Sequence, residues 1–461
     1  MGKGNIHPAV LEIASIFSNA GKQIYLVGGA VRDLLRGQKA KDWDLATDAL
    51  PEEVIALVRP PGKKTPYFVV PTGIKHGTVT VYCKNFAFEV TTFRAEKGYS
   101  DGRRPDSVEF GVSIMEDLSR RDFTMNAAAY KFPSGPLTDP FNGEEDIKAR
   151  LIRSVGNPVE RFAEDGLRPL RAVRFASQLD FTVDDAVLEA IPGAISLTAG
   201  VAPERIRDEL DKIIASPKPS AALYLMEKTG LLELILPELA LCRGIEQKGL
   251  HQFDVLDHSL LACDFAAREK ASPEVRMAAL YHDVGKRITC KTDESGARTF
   301  YQHERESSRL AREIMLRFRY PKAVMDKVCH LIEEHMFHYE ENWTDAAVRR
   351  FIIRAGEGSL PDLYRIRMAD AYAAAGLEPP RDYLLPLIKR VEKVLAAGRT
   401  LSLKDLAVSG YDLKEVRVKP GKQMGIILKE LLEAVVEDPS LNTREKLLEI
   451  AGKINDRYSN A

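Results

Sequence analysis

Apolar and polar positions in the first third of the chain follow two alternating rhythms. Short β-branched and aromatic runs occur at Ile24 to Val27, Gly77 to Cys83 and Phe86 to Phe93. Such runs predict strands, because these side chains pack well on a pleated surface. Between them, Ala30 to Leu35 and Pro51 to Val58 carry helical spacing. The second is entered by Asp48-Ala-Leu-Pro-Glu-Glu; an Asp followed by Pro and by acids at the positive end of the helix dipole favours a start there. Residues 59 to 73 hold Arg59-Pro60-Pro61-Gly62 and Thr65-Pro66, breakers that predict a loop. Beyond residue 145 the apolar spacing becomes helical to the end, with breaks at Asn157-Pro158, Ser216 to Pro219 and Leu377 to Pro380. The predicted fold is an α/β head followed by an all-α body without internal repeats.

Composition narrows the class. The 461 residues suffice for several domains, and an apolar fraction of 45% excludes a disordered chain. Cys83, Cys242, Cys263, Cys290 and Cys329 form no C-x-x-C pair, which predicts reduced thiols in a cytoplasm and argues against a zinc ribbon. The first residues lack the charged start and apolar run of a secretory signal, and Ile6 breaks the myristoylation pattern. No apolar stretch reaches the roughly 18 residues of a span, so no membrane is expected as a partner. A net charge of −1 gives no overall basic surface; any RNA site must be local.

Chemistry concentrates first at Tyr25-Leu-Val-Gly28-Gly29-Ala-Val-Arg32-Asp33 and Lys41-Asp42-Trp43-Asp44-Leu-Ala-Thr47. A strand ending in two glycines before a helix lets backbone N–H groups approach a phosphate, with Arg32 one turn further on. In an extended segment Asp42 and Asp44 point to one face. Carboxylates so placed can bridge two Mg²⁺ ions ~4 Å apart, one activating an attacking hydroxyl and one holding the leaving pyrophosphate. Alone, an Asp-x-Asp pair is more often a loop cap. The glycine pair upstream singles this one out. Glu89, within the apolar run Phe86 to Phe93, is a third carboxylate, and at such a place a charge needs a metal or an arginine.

These stretches resemble the bacterial class II tRNA nucleotidyltransferases and poly(A) polymerases, of the polymerase-β-like superfamily. The resemblance is carried in order by Val27-Gly-Gly-Ala-Val-Arg-Asp-Leu-Leu, Lys41-Asp-Trp-Asp-Leu-Ala-Thr, Gly73-Ile-Lys-His-Gly-Thr-Val-Thr-Val and Phe88-Glu-Val-Thr-Thr-Phe-Arg. It continues through Arg120-Arg-Asp-Phe-Thr-Met-Asn-Ala, Asp139-Pro-Phe-Asn-Gly and Glu164-Asp-Gly-Leu-Arg-Pro-Leu-Arg-Ala-Val-Arg-Phe-Ala, and extends more loosely to the C-terminus. It implies a nucleotidyltransferase head with a polymerase-β-like palm at 1–150, a neck and RNA-binding helical domain at 151–245, and a helical tail at 376–461. The implied activity is template-independent addition of CMP and AMP to the tRNA 3′ end, with CTP, ATP and tRNA as partners. Asp42 and Asp44 would be the catalytic Mg²⁺ ligands, and Glu89 is a further candidate catalytic carboxylate. Gly28, Gly29 and Arg32 would contact the triphosphate, and Arg121, Asp122 and Asn126 would line the nucleotide site.

Asp165 and Arg168 match the family's base-reading pair. Cytosine and adenine both present an amine beside a ring-nitrogen acceptor, which a carboxylate and an arginine complement. Uracil and guanine present the opposite pattern and leave polar groups unpaired. On a helix Asp165, Arg168 and Arg171 would share one face, with Arg174 around the side nearer the phosphates or the RNA. A solvated helix laced with ion pairs is the plain alternative. Gly166 and Pro169 predict a late helix start or a kink.

Residues 94 to 110 resemble the family's flexible loop, whose presence favours an enzyme that adds A as well as C. Gly73-Ile-Lys-His-Gly-Thr resembles the tRNA-specific branch rather than the poly(A) polymerases. The mixed charges of Ala202 to Ile214 read as mostly structural or solvated. Lys414, Arg417, Lys419 and Lys422, in a tail-like stretch, are candidate phosphate contacts, with a merely solvated face as the alternative.

A second constellation, His258, His282, Asp283, His303, His335 and Asp370, is spread over helical sequence. His282-Asp283 followed by Gly285-Lys286 is the signature of HD-type metal phosphohydrolases, making 246–375 an HD-type helical domain. Imidazole and carboxylate suit a transition metal or Mg²⁺. Rival readings are an A-adding or CC-adding enzyme, a poly(A) polymerase, and an HD phosphohydrolase with an RNA-binding head. An inert, structural HD domain fits the same residues.

Overall fold

In β1 (Ile24–Val27) alternate side chains serve two cores. Ile24 and Leu26 join a large cluster, whereas Tyr25 and Val27 join a small one with Ala46, Phe93, Leu118 and Ala129. That is the period-two geometry of a strand buried on both faces. The computed structural model describes residues 6–40, 42–62, 64–83, 86–97, 107–132, 135–247, 249, 251–294, 298–397 and 402–459. Two compact units result: residues 1–241 with 316–320, and residues 242–315 with 321–461.

The first unit begins as a mixed α/β head. With β1 it holds β2 (Asp44–Thr47), β3 (Tyr67–Gly73), β4 (Thr78–Cys83), β5 (Phe86–Thr92), β6 (Arg94–Lys97), β7 (Ser107–Phe110), β8 (Ala129–Lys131) and β9 (Leu137–Thr138). Seven form one sheet in the order β3-β4-β5-β2-β1-β8-β9, and β6 and β7 form a separate antiparallel pair. Only β2 and β5 run parallel in the sheet, which sets Asp44 opposite Glu89; across β1, Asp44 stands opposite Val27. Helices α1 (Pro8–Asn19), α2 (Gly29–Leu35) and α3 (Pro51–Val58) contribute Val10, Ile13, Phe17, Val31, Val54 and Val58 to the large cluster.

Residues 59 to 73 are not all loop, as their breakers predict. Tyr67–Gly73 is the edge strand β3, with a register shift between Val70 and Gly73. The run Tyr67-Phe-Val-Val outweighs Pro71, which an edge strand tolerates.

The remainder of the chain is largely helical. After α4 (Ile114–Ser119) and α5 (Gly143–Lys148) come α6 (Pro158–Glu164), α7 (Arg168–Leu179), α8 (Asp185–Ala190), α9 (Ile195–Ala199) and α10 (Pro203–Ile214). Asp165 lies outside α7 in an extended conformation (φ −146°, ψ 108°), so it does not share a helix face with Arg168 as the spacing alone suggests. Two residues cause the break. A Cβ on Gly166 would stand 2.4 Å from the Leu197 carbonyl oxygen, and Pro169 fits only the first turn of a helix.

In the second unit, helices Val255–Arg268, Pro273–Tyr281, Lys322–Glu333 and Leu360–Ala375 precede a C-terminal segment with its own core of Leu413, Ile427, Leu431, Leu447 and Ala451. Its strands, among the described residues, are the short pair Lys291–Thr292 and Arg298–Thr299. No helix among the described residues is long and apolar enough to cross a membrane.

The close approach at Gly166 predicts that Gly166→Ala destabilises the first unit by about 1–3 kcal/mol, lowering its melting temperature by several degrees. Unchanged calorimetric melting would show that sterics do not enforce the helix break.

Candidate active site

β1 runs into Gly28, which has φ +68° and ψ −139°. A side chain there would be strained, and its Cβ would meet Arg121 Nη1 at 3.2 Å and Asp44 Oδ2 at 3.3 Å. Trp43 is buried in the large core, while its neighbours Asp42 and Asp44 both line a cleft of about 650 Å³. Glu89 lines the same cleft, and among the described residues no arginine forms an ion pair with it. Burial pushes the Asp44 carboxyl up to about 6; Glu89 and Asp42 add to this and Arg121 offsets part of it. Such a group gains from a divalent cation, which would favour its ionised form.

The arginines around these carboxylates are held by other groups. Arg32 donates from Nη1 to Asn126 Oδ1 (3.0 Å) and from Nε to Asp33 (2.9 Å). Arg121 donates from Nη1 to the Asn126 carbonyl (3.3 Å) and from Nη2 to Asp117 (3.3 Å), which also accepts from Arg120 (2.8 Å). Asp122 accepts from Asn126 Nδ2 (3.1 Å) and from Arg171 Nε and Nη2 (2.8 and 2.5 Å). Burial alone would raise the Asp122 carboxyl, but the Arg171 guanidinium and the Asn126 amide hold it well below the ordinary range.

At the break between α6 and α7, Asp165 Oδ1 accepts from the Leu167 N–H (3.0 Å) and Oδ2 from Arg205 of α10 (2.7 Å). Arg168 is buried, donating to Glu164 (2.5 Å), the Arg161 carbonyl (3.0 Å) and the Arg120 carbonyl (2.9 Å). Arg174 donates to Glu209 (2.6 Å) and Gln178 (2.5 Å) and stacks 3.5 Å from the Phe175 ring centroid. Gly28, Gly29, Arg32, Arg121, Asp122, Asn126, Asp165, Arg168, Arg171 and Arg174 thus line the one cleft that holds Asp42, Asp44 and Glu89.

Sequence reasoning missed Asp117, Phe175, Arg205 and Glu209. Glu209 is 2% exposed and anchors Arg174 and Lys212, although the mixed charges of its segment read as mostly structural or solvated. The available signal was its place among Ile206, Leu210 and Ile213 on the buried side of α10, where a carboxylate needs a cation. Of the loop read at 94 to 110, residues 98–106 lie outside the described residues.

In the second unit His258, His282, Asp283, His303, His335 and Asp370 converge in one buried cluster. Lys414, Arg417, Lys419 and Lys422 are all exposed, from the turn Asp412–Val416, which holds Lys414, to Lys422, the first residue of helix Lys422–Glu437.

Comparison with known proteins bears on the same segments. Residues 24–153 match the family described as the Poly A polymerase head domain, and residues 180–242 match a probable RNA and SrmB-binding site of polymerase A. Residues 297–451 match the putative domain 2 of tRNA nucleotidyltransferases. The CCA-adding enzyme of Limosilactobacillus reuteri is 34% identical over 448 residues, 96% of this chain and 96% of that protein. The chain belongs to the CCA-adding enzyme family. The solved structure of the Bacillus stearothermophilus CCA-adding enzyme in complex with CTP is 30% identical, with a TM-score of 0.73 over 99% of this chain and 100% of that one. The Thermotoga maritima CCA-adding enzyme complexed with tRNA shares the fold at 18% identity and a TM-score of 0.56, over 98% and 97% of the two chains.

A carboxyl raised in the fold penalises the folded state once it ionises. In chelator at pH 8, Asp44→Asn should therefore raise the melting temperature of the first unit by a few degrees. The gain should shrink as pH falls through about 6 and vanish near 4. A gain that is independent of pH would contradict the electrostatic origin.

Proposed function

We infer that this chain performs the reaction of its family, template-independent addition of CMP and AMP to the 3′ end of tRNA, with CTP and ATP as substrates. The observation that carries this reading is the register of Asp44 against Glu89 beside the Gly28 turn, in a chain 34% identical almost end to end to a CCA-adding enzyme. Asp42 and Asp44 would hold Mg²⁺, which when bound activates the attacking 3′ hydroxyl and neutralises the leaving pyrophosphate. The backbone at Gly28 and Gly29, with Arg32 and Arg121, binds and orients the triphosphate. Asp165 accepts from the exocyclic amine of cytosine or adenine and Arg168 donates to the ring nitrogen. Asp165 is oriented by Arg205 and Arg168 by three protein acceptors, and each keeps hydrogen-bonding capacity for the base.

The finer division follows: a polymerase-β-like palm in the head at 1–150, a neck and RNA-binding region at 151–245, an HD-type region at 246–375 and a tail at 376–461. Lys414, Arg417, Lys419 and Lys422, being exposed, suit sequence-independent contacts to tRNA phosphates. Free cysteines fit a cytoplasmic enzyme. The His/Asp cluster supports a second reading beside the first, a metal-binding HD-type unit at 246–375.

Purified protein incubated with tRNA lacking CCA, CA or A, and with labelled CTP or ATP, should complete each end. Incorporation of ATP without CTP would overturn CCA addition. Asp42→Ala should reduce transfer of both nucleotides by at least about a thousandfold, and unchanged transfer would refute its role. Asp165→Ala should admit UTP; undiminished rejection of UTP would remove Asp165 as the discriminating acceptor.

A further inference from the structure

Two aromatic side chains of the head sheet are left in solvent, and they sit together. Phe68 on β3 is 59% exposed and Tyr82 on β4 is 40% exposed. Among the described residues no other large apolar side chain of the seven-stranded sheet is exposed. The two stand opposite each other in the β3–β4 register, with ring centroids 6.3 Å apart and planes inclined at 51°. Apolar side chains scattered singly on a surface are ordinary, but two side by side on one face mark a place where something apolar is covered on binding.

Strand register fixes which face they occupy. Glu89 pairs with Thr80, Ala87 with Tyr82, and Tyr82 in turn with Phe68. Opposite residues in a ladder project to the same side, and so do residues two apart along one strand. Glu89, Thr80, Ala87, Tyr82 and Phe68 therefore share the face from which Asp44 and Glu89 enter the cleft. Tyr82 is the diagonal neighbour of Glu89, about 7–8 Å away between Cα atoms. Thr80 and Ala87 flank that diagonal, and their side chains are too short to wall off the path.

The two flanks of the carboxylates differ. In the sheet order β3-β4-β5-β2-β1-β8-β9, Gly28, Gly29 and Arg32 follow β1, and Asn126, which accepts from Arg32, precedes β8. That flank is also roofed, since Tyr25, Val27 and Ala129 pack with Leu118 of α4. Nucleotidyl transfer is an in-line displacement, so the attacking hydroxyl approaches opposite the leaving pyrophosphate. With the triphosphate on the β1 flank, the RNA 3′ end comes in over β5 and β4. There the open surface offers rings. Bases stack on aromatic faces whatever their identity, which suits a strand whose last nucleotide changes with each addition. The inclined rings do not stack on each other, so each keeps a face for a base.

We propose that Phe68 and Tyr82 form a stacking platform for the bases just before the 3′-terminal nucleotide of the acceptor RNA, aiming its hydroxyl at the carboxylates. This rests on the reading of the chain as a tRNA nucleotidyltransferase and adds an RNA-positioning pair outside the nucleotide pocket. The pair touches bases and not phosphates, so its share of the affinity persists as salt is raised, unlike that of lysine contacts.

Kinetics and fluorescence test the platform. In the full chain, Phe68→Ser combined with Tyr82→Ser should raise the KM for tRNA lacking CCA about tenfold, at low and high salt alike. The KM for CTP should not change, and Phe68→Trp combined with Tyr82→Phe should keep the original KM for tRNA. A tRNA with 2-aminopurine just before its terminal nucleotide should be quenched on binding the unmutated chain and stay bright on the serine variant. Matched thermal melting checks the fold of each variant. A folded serine variant with unchanged KM for tRNA and unchanged quenching overturns the platform and leaves the nucleotidyltransferase reading standing. A 2-aminopurine that stays bright on the unmutated chain overturns the platform without any variant. A serine variant that keeps its KM for tRNA but changes its sedimentation assigns the pair to contact between copies, which overturns it too. Absence of transfer by the unmutated chain overturns both the platform and the reading beneath it.

Discussion

Three carboxylates face one cleft at the end of the central strands, and the groups that would neutralise them are occupied elsewhere. Asp44 opposes Glu89 across the one parallel pairing of the sheet, and Asp42 lines the same cleft just before the strand. Eight arginines line the same cleft, yet Asp117, Asp122 and Glu209 hold Arg120, Arg121, Arg171 and Arg174 in fixed places. These buried acids keep the guanidiniums from collapsing onto the cleft carboxylates. A cleft results in which acceptors for cations and donors for phosphate stand side by side without cancelling. That separation suits nucleotidyl transfer, where an ion and a triphosphate must meet at the same point.

The two units use different donor chemistry. In the head, oxygen ligands at a partly open cleft suit a labile hard cation that arrives with the nucleotide. In the second unit the imidazoles of His258, His282 and His303 are sealed at 0–7% side-chain exposure and lie beside Asp283.

Much of this was legible from residue order. Short β-branched and aromatic runs read β1, β4 and β5, the glycine pair and Asp-x-Asp marked the cleft, and the six His and Asp residues of the second unit were singled out together. What stayed hidden depends on partners far apart in sequence. Asp165 and Arg168 read as one helix face because spacing cannot reveal that Gly166 packs against the Leu197 carbonyl. Glu209 read as structural or solvated because its partners Arg171 and Arg174 lie on another helix, 35 residues from Arg174. β3 was lost to its own proline, whose tolerance depends on the strand lying at the sheet edge. Local pattern fixes which residues carry charge; tertiary contact fixes which charges remain free.

The direct test of the head carboxylates as ion ligands is a change of ligand hardness. Asp44→Cys replaces an oxygen donor with a thiolate, which binds Mg²⁺ poorly and Cd²⁺ or Mn²⁺ far better. Nucleotide addition to tRNA by this variant should be lost in Mg²⁺ and recover in part when Cd²⁺ or Mn²⁺ is supplied. Full activity of the variant in Mg²⁺ alone would contradict Asp44 as a metal ligand.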